Sequence, residues 1–222
     1  MDEILQQIAD CIEFGKVNLA SPYPPDRRGQ EGADEYTKRA LEMGVSPQEI
    51  LNRSLILGMS RIGAKFKENK VFVPQVLMSA KAMNTAMLHL KPFFISGEVQ
   101  RKGVFILGTV EGDLHDIGKN LVAMMVEGNG FEVIDLGVDV KADKFVKALS
   151  DHPGAFVGLS ALLTTTMAAM DKTNKLIKST FPDAKTFVGG APVSDSFRME
   201  IGADYYSSDP QGLVDILNNL VA

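Results

Sequence analysis

The sequence predicts an α/β protein in two parts: a four-helix bundle, then a doubly wound parallel sheet of five strands. Two observations predict it. From residue 2 to about 95 the apolar residues recur every three to four positions, the period of one helix face; after "SGEVQRKG" (96–103) they fall in short β-rich runs that alternate with helical stretches. Continuous apolar strands separated by helices indicate a parallel sheet covered on both faces.

The first helix is marked by Ile4, Leu5, Ile8 and Ile12. "SPYPPDRRGQEG" (21–32), rich in Pro, Gly and charge, is a loop leading to the helix that holds "DEYTKRALEMG". Ser46-Pro47-Gln48-Glu49 combines an N-cap serine, a first-turn proline and a glutamate at capping-box spacing, so the third helix begins there and carries Leu51, Leu55, Met59, Ile62 and Phe66. Val73-Pro74 opens the fourth, with Val76, Leu77, Ala80, Met83, Met87 and Leu88. These define a bundle over 1–95, a hinge over 96–103 and an α/β domain over 104–222. Its strands are "VFILGTV" (104–110), "EVIDLG" (132–137), "AFVGLS" (155–160), "KTFVGG" (185–190) and "DYYSS" (204–208). Ligands of such sheets bind beyond the carboxyl ends of the strands, and in a flavodoxin-like order the switch point lies between the first and third.

Composition narrows the function. A net charge of −5 offers no basic footprint for nucleic acid or an anionic membrane. One cysteine, Cys11, excludes an intramolecular disulfide and a cysteine-based zinc site. With an acidic, amphipathic start and no apolar run of bilayer length, the expectation is a cytoplasmic protein.

Three segments converge on one sheet edge. "EGDLHDIGKN" (111–120) follows the first strand and supplies Asp113, His115 and Gly118; the third strand ends in Ser160-Ala-Leu162; the fourth ends in Gly189-Gly190. Between Gly118 and Ser160 lie 41 residues, and between Leu162 and Gly189 lie 26. An imidazole suits a borderline metal, and a carboxylate on its other nitrogen fixes the tautomer. Read alone, Asp113 could simply cap the helix beginning near Ile117, and Ser160 and the glycine pair could be an ordinary strand-end hydroxyl and an ordinary turn.

The motifs and spacings together resemble the Asp-x-His-x-x-Gly, Ser-x-Leu, Gly-Gly signature of corrinoid proteins, which bind cobalamin with its lower base displaced. The bundle, through "GMSRIGAKFKENKVFVPQVLMSAKAM" (58–83), is similar to the helical cap of methionine synthase and of methanol, methylamine and methoxyl corrinoid proteins. The resemblance implies a Rossmann-like cobalamin-binding domain in which His115 ligates cobalt from below, Asp113 holds the histidine, and Ser160 completes a relay. It implies that Gly118, Gly189 and Gly190 leave room for the nucleotide tail, and that Phe66, Val73 and Val76 shield the upper face. Leu162 belongs to the same signature. The hydroxyls of "TTTM" (164–167), Thr164 first, are equally placed to bond the tail or cap the next helix.

The function implied is a non-catalytic carrier. Cob(I)alamin, or a related corrinoid, takes a methyl group from a substrate-specific methyltransferase. As methylcobalamin it yields that group to a second methyltransferase acting on tetrahydrofolate or coenzyme M. An ATP-dependent reductive activator repairs accidental oxidation. The alternative from another class is a cobalamin-dependent sensor, which would need a DNA-binding module that these residues do not show. A carbon-skeleton mutase subunit would share the signature but not the bundle.

Overall fold

The computed structural model describes residues 1–221 and divides into two compact units: Met1–Arg101 with Gly128–Gly130, and Lys102–Glu127 with Phe131–Ala222. The first unit is helical. Helix α1 (Asp2–Phe14) ends at Gly15, whose left-handed φ of 70° terminates it, and α2 (Ala33–Glu42) follows the loop. Ser46 caps α3 (Pro47–Ile50) by accepting from the Glu49 amide at 3.2 Å. A π-helical turn (Leu51–Leu55) then joins α3 to α4 (Ile56–Lys67), so the expected third helix is one rod with a wide turn inside it. Helix α5 (Val73–Ile95) completes the four rods.

Helices α1 and α4 approach closely because Gly58 has no side chain: a Cβ there would lie 2.6 Å from both the Ala9 carbonyl oxygen and Ile12 Cβ. Ile8, Ile12, Leu55 and Met59 are fully buried in this unit. The Val99 amide donates to the Phe93 carbonyl, and Gln100 N–H donates to the Gln48 side chain, so residues up to Arg101 belong to the helical unit.

In the second unit the strands are β1 (Val104–Thr109), β2 (Glu132–Asp135), β3 (Phe156–Ser160), β4 (Thr186–Gly189) and β5 (Tyr205–Tyr206), all parallel, in the order β2-β1-β3-β4-β5. Helices α6 (Ile117–Gly128), α7 (Ala142–Asp151), α8 (Met167–Thr180), α9 (Asp195–Ile201) and α10 (Pro210–Leu220) connect or follow them. The chain reverses sheet direction between β1 and β3, so the loops after these strands open away from each other and leave the expected crevice. Register places Thr109 beside Ser160 and Ser160 beside Gly189, which aligns the three strand ends. Phe105, Ile106, Phe145, Val157 and Ile177 anchor the core with no exposed surface. Among the described residues no helix is long and apolar enough to cross a membrane.

Gly58→Val would force the α1–α4 contact apart. A loss of about 1–3 kcal/mol is expected, measured by urea unfolding of the full chain followed through helical circular dichroism.

Candidate functional site

Asp113 is fully buried, and its carboxylate collects five donors from two loops. Oδ1 accepts from the His115 backbone N–H at 3.1 Å and lies 2.7 Å from His115 Nδ1. Oδ2 accepts from the N–H groups of Leu162 at 2.7 Å and Leu163 at 3.2 Å, and from the Thr166 hydroxyl at 2.8 Å. Burial acts to raise the Asp113 pKa. The hydrogen bonds from the Leu162 and His115 amides, then from the His115 ring and Thr166, outweigh it and hold the acid well below the usual carboxylate range. An ionised Asp113 has no proton to give, so His115 Nδ1 carries the hydrogen of this bond, and in the neutral ring the lone pair is at Nε2.

The His115 side chain is 49% exposed, so that lone pair is available to a ligand. No cluster of three or more His, Cys, Asp or Glu residues able to hold a metal occurs among the described residues. What the site offers a metal is a single oriented imidazole.

Beside it lies a cavity of about 670 Å³, whose lining includes His115, Gly118, Ser160, Gly189, Gly190 and Tyr206. Its floor is apolar, with Leu107, Val122, Leu159, Phe187 and Val188. Leu114, Ile117 and Leu162 surround its mouth and are 72%, 77% and 44% exposed. Apolar side chains gathered at a concave opening mark a surface that a large apolar ligand covers.

The three glycines have different physical reasons. A Cβ on Gly118 would meet nothing within 4 Å, and one on Gly189 only the Ser207 carbonyl oxygen at 3.5 Å, so both positions border open space. Gly190 has φ +122°, and a Cβ there would sit 1.8 Å from the Ala161 carbonyl oxygen. The expectation that Gly190 is small only to admit a ligand is therefore corrected: the β3 and β4 ends pass too closely for any side chain.

The relay also needs correction. Ser160 lines the cavity but makes no hydrogen bond to Asp113, because that carboxylate lies beyond the strand end, under the turn 162–166; Thr166 is the hydroxyl that reaches it. Asp113 does not cap α6, since its donors other than His115 come from the turn after β3. Thr164 is exposed in that turn and is not the N-cap of α8, which is Thr166. Of the three apolar residues expected on the bundle, Phe66 and Val73 are half-buried while Val76 is fully buried, which makes Val76 a packing residue of α5. The exposed ring of that segment is Phe72, just before α5.

Sequence reasoning also missed Lys119. Its side chain is 2% exposed, and Nζ bonds Asp135 Oδ2 at 2.5 Å and Asn120 Oδ1 at 2.7 Å, tying the first turn of α6 to the end of β2. Nothing in a lysine two residues into a helix distinguishes a buried tether from a solvated charge. His89, by contrast, pairs with Asp34 at 2.6 Å on the bundle surface.

Residues 103–212 match the model of the B12 binding domain, and residues 29–91 match a second B12 binding domain model. Dimethylamine corrinoid protein 1 of Methanosarcina acetivorans is 38% identical over 100% of this chain and 99% of its own length. The chain is a member of the corrinoid-protein family. Monomethylamine corrinoid protein 2 of the same organism is 42% identical over 78% of this corrinoid protein and 82% of its own length. Two solved structures share the fold. The methanol:cobalamin methyltransferase complex MtaBC of Methanosarcina barkeri has TM-score 0.83 at 28% identity, covering 99% of this chain and 80% of that one. A cobalamin-binding protein of Desulfitobacterium hafniense has TM-score 0.75 at 28% identity, covering 100% and 98%. This corrinoid protein therefore binds a cobalamin-type cofactor, and the oriented imidazole, apolar mouth and open glycine-bordered cavity fit that group.

Gly118→Val and Gly189→Val should each weaken cobalamin binding about tenfold or more while leaving the fold intact, as read by equilibrium titration and circular dichroism. Gly190→Val should instead lower the unfolding midpoint. A second outcome concerns pH. The Asp113 pKa is depressed on folding, so its contribution to stability is present above the unfolded value, about 4, and is lost as pH falls toward the folded value. Asp113→Asn should flatten the acid limb of the stability profile, measured by urea unfolding between pH 2 and 5.

Proposed function

We propose that this protein carries a methyl group between a substrate-specific methyltransferase and a second methyltransferase acting on tetrahydrofolate or coenzyme M, with His115 as the protein ligand to cobalt. The observation that carries this reading is the Asp113–His115 pair, whose Nδ1 is spent on a buried carboxylate and whose Nε2 stands open beside the cavity. Relatives named as methylamine corrinoid proteins, and likeness to a structure containing a methanol methyltransferase, support methylated amines or methanol as the donor class.

The bound corrinoid supplies a nucleophilic cobalt centre that accepts and surrenders a methyl group. Asp113 fixes the His115 tautomer through the hydrogen bond at Nδ1 and leaves Nε2 as the nitrogen that would hold cobalt. Thr166 and the Leu162 and Leu163 amides keep Asp113 ionised. Gly118 and Gly189 leave space for the nucleotide tail, and Ser160 lines it. A reductive activator that depends on ATP completes the set of partners.

The deciding experiment is His115→Ala loaded anaerobically with cobalamin. Cofactor content should be retained through the tail cavity, while the cobalt(II) electron paramagnetic resonance spectrum should lose the hyperfine coupling to a protein nitrogen. An unchanged spectrum would refute His115 as ligand.

A further inference from the structure

Two residues outside the signature hold the backbone on either side of Asp113 and His115. Thr109, the last residue of β1, has no exposed surface, and its hydroxyl donates to the His115 carbonyl oxygen at 2.9 Å. Asp139 lies in the loop after β2 with φ +51°, a left-handed conformation that costs energy for any residue with a side chain. There its Oδ1 accepts from the Gly112 amide at 2.7 Å, and its own amide donates to the Asp113 carbonyl oxygen at 2.9 Å. Gly112 is itself left-handed, at φ +83°. The two clasps are braced by Thr109 N–H to the Gly137 carbonyl at 3.0 Å, Val140 N–H to the Thr109 carbonyl at 2.9 Å, and a bridge between Val110 and Val140.

We propose that Thr109 and Asp139 are positioning residues for His115, fixing the 112–115 backbone so that Nε2 is presented to the metal. The proposal rests on His115 being the protein ligand to cobalt and assigns these residues no contact with cofactor. The Asp113 carboxylate, itself held by the turn after β3, fixes which way the ring faces; the backbone that carries the two residues is held by Thr109 and Asp139. Thr109 anchors the loop after the histidine to β1, and Asp139 anchors it before the aspartate to the β2 side. A misplacement of about 0.5 Å is enough to weaken a metal–ligand bond.

The two sites separate positioning from general stability. Thr109→Val keeps the shape but leaves the His115 carbonyl without its donor, whereas Thr109→Ser keeps the hydroxyl. Asp139→Gly relieves the left-handed backbone yet removes the acceptor, whereas Asp139→Asn keeps an acceptor and tolerates the conformation. Each full-length variant is loaded anaerobically with cobalamin and reduced to cobalt(II), and the ratio of imidazole-ligated to unligated cofactor is read from electron paramagnetic resonance. Thr109→Val and Asp139→Gly should lower that ratio about tenfold, within the range for partners that orient a ligand, with cofactor content unchanged. Thr109→Ser and Asp139→Asn should stay within about twofold of wild type. Wild-type ratios in Thr109→Val and Asp139→Gly, or losses that the serine and asparagine variants share, would overturn the proposal. Should Thr109→Val not fold, the exposed Asp139 pair decides alone, and a wild-type ratio in Asp139→Gly overturns it. A wild-type protein with no imidazole coupling would overturn the His115 assignment itself, a result distinct from equal ratios across variants that all show the coupling.

Discussion

The buried Asp113 carboxylate is the interaction on which the rest of the site depends. A buried anion is costly unless its lone pairs are filled. Here five donors fill them, drawn from His115 on one loop and from Leu162, Leu163 and Thr166 on another. Each bond to an ionised acceptor is stronger than a neutral one. The charge is thereby locked in place, and in that state it can only accept, so the hydrogen of the His115 pair sits at Nδ1 and the neutral ring has its lone pair at Nε2.

This arrangement also explains why the site sits at the switch between β1 and β3. Two loops must meet for one carboxylate to be saturated, and only neighbouring parallel strands whose connections diverge bring their ends together with an open crevice beside them. The cavity and the imidazole are products of the same topology. The apolar floor comes from residues of β1, β3, β4 and α6, so the core packing that stabilises the sheet also shapes the pocket.

Glycine serves two purposes here, and the distinction bears on how the signature is read. Gly118 and Gly189 border empty space, whereas Gly190 is required by the backbone of Ala161 1.8 Å from where its Cβ would be. A motif of small residues thus mixes positions that border open space with positions set by the fold. The two can be separated only by asking what a side chain would meet.

The sequence by itself determined the architecture and the participants. Periods of 3.6 and of short apolar runs are local properties, so the helical rods, the five parallel strands and the switch point were legible, as was the convergence of the segments holding Asp113, His115 and the glycines on one sheet edge. The tertiary structure decided the partners. Which hydroxyl meets Asp113 depends on a turn that carries Thr166 under the carboxylate while Ser160, six positions earlier, remains at the strand end. Whether Val76 is a lining or a core residue depends on the rotation of α5 against its neighbours, which one helix period leaves open. Lys119, Thr109 and Asp139 carried no local signal, because a hydrogen bond across 6, 16 or 27 residues of chain is made by the approach of elements in space and leaves no pattern along the chain.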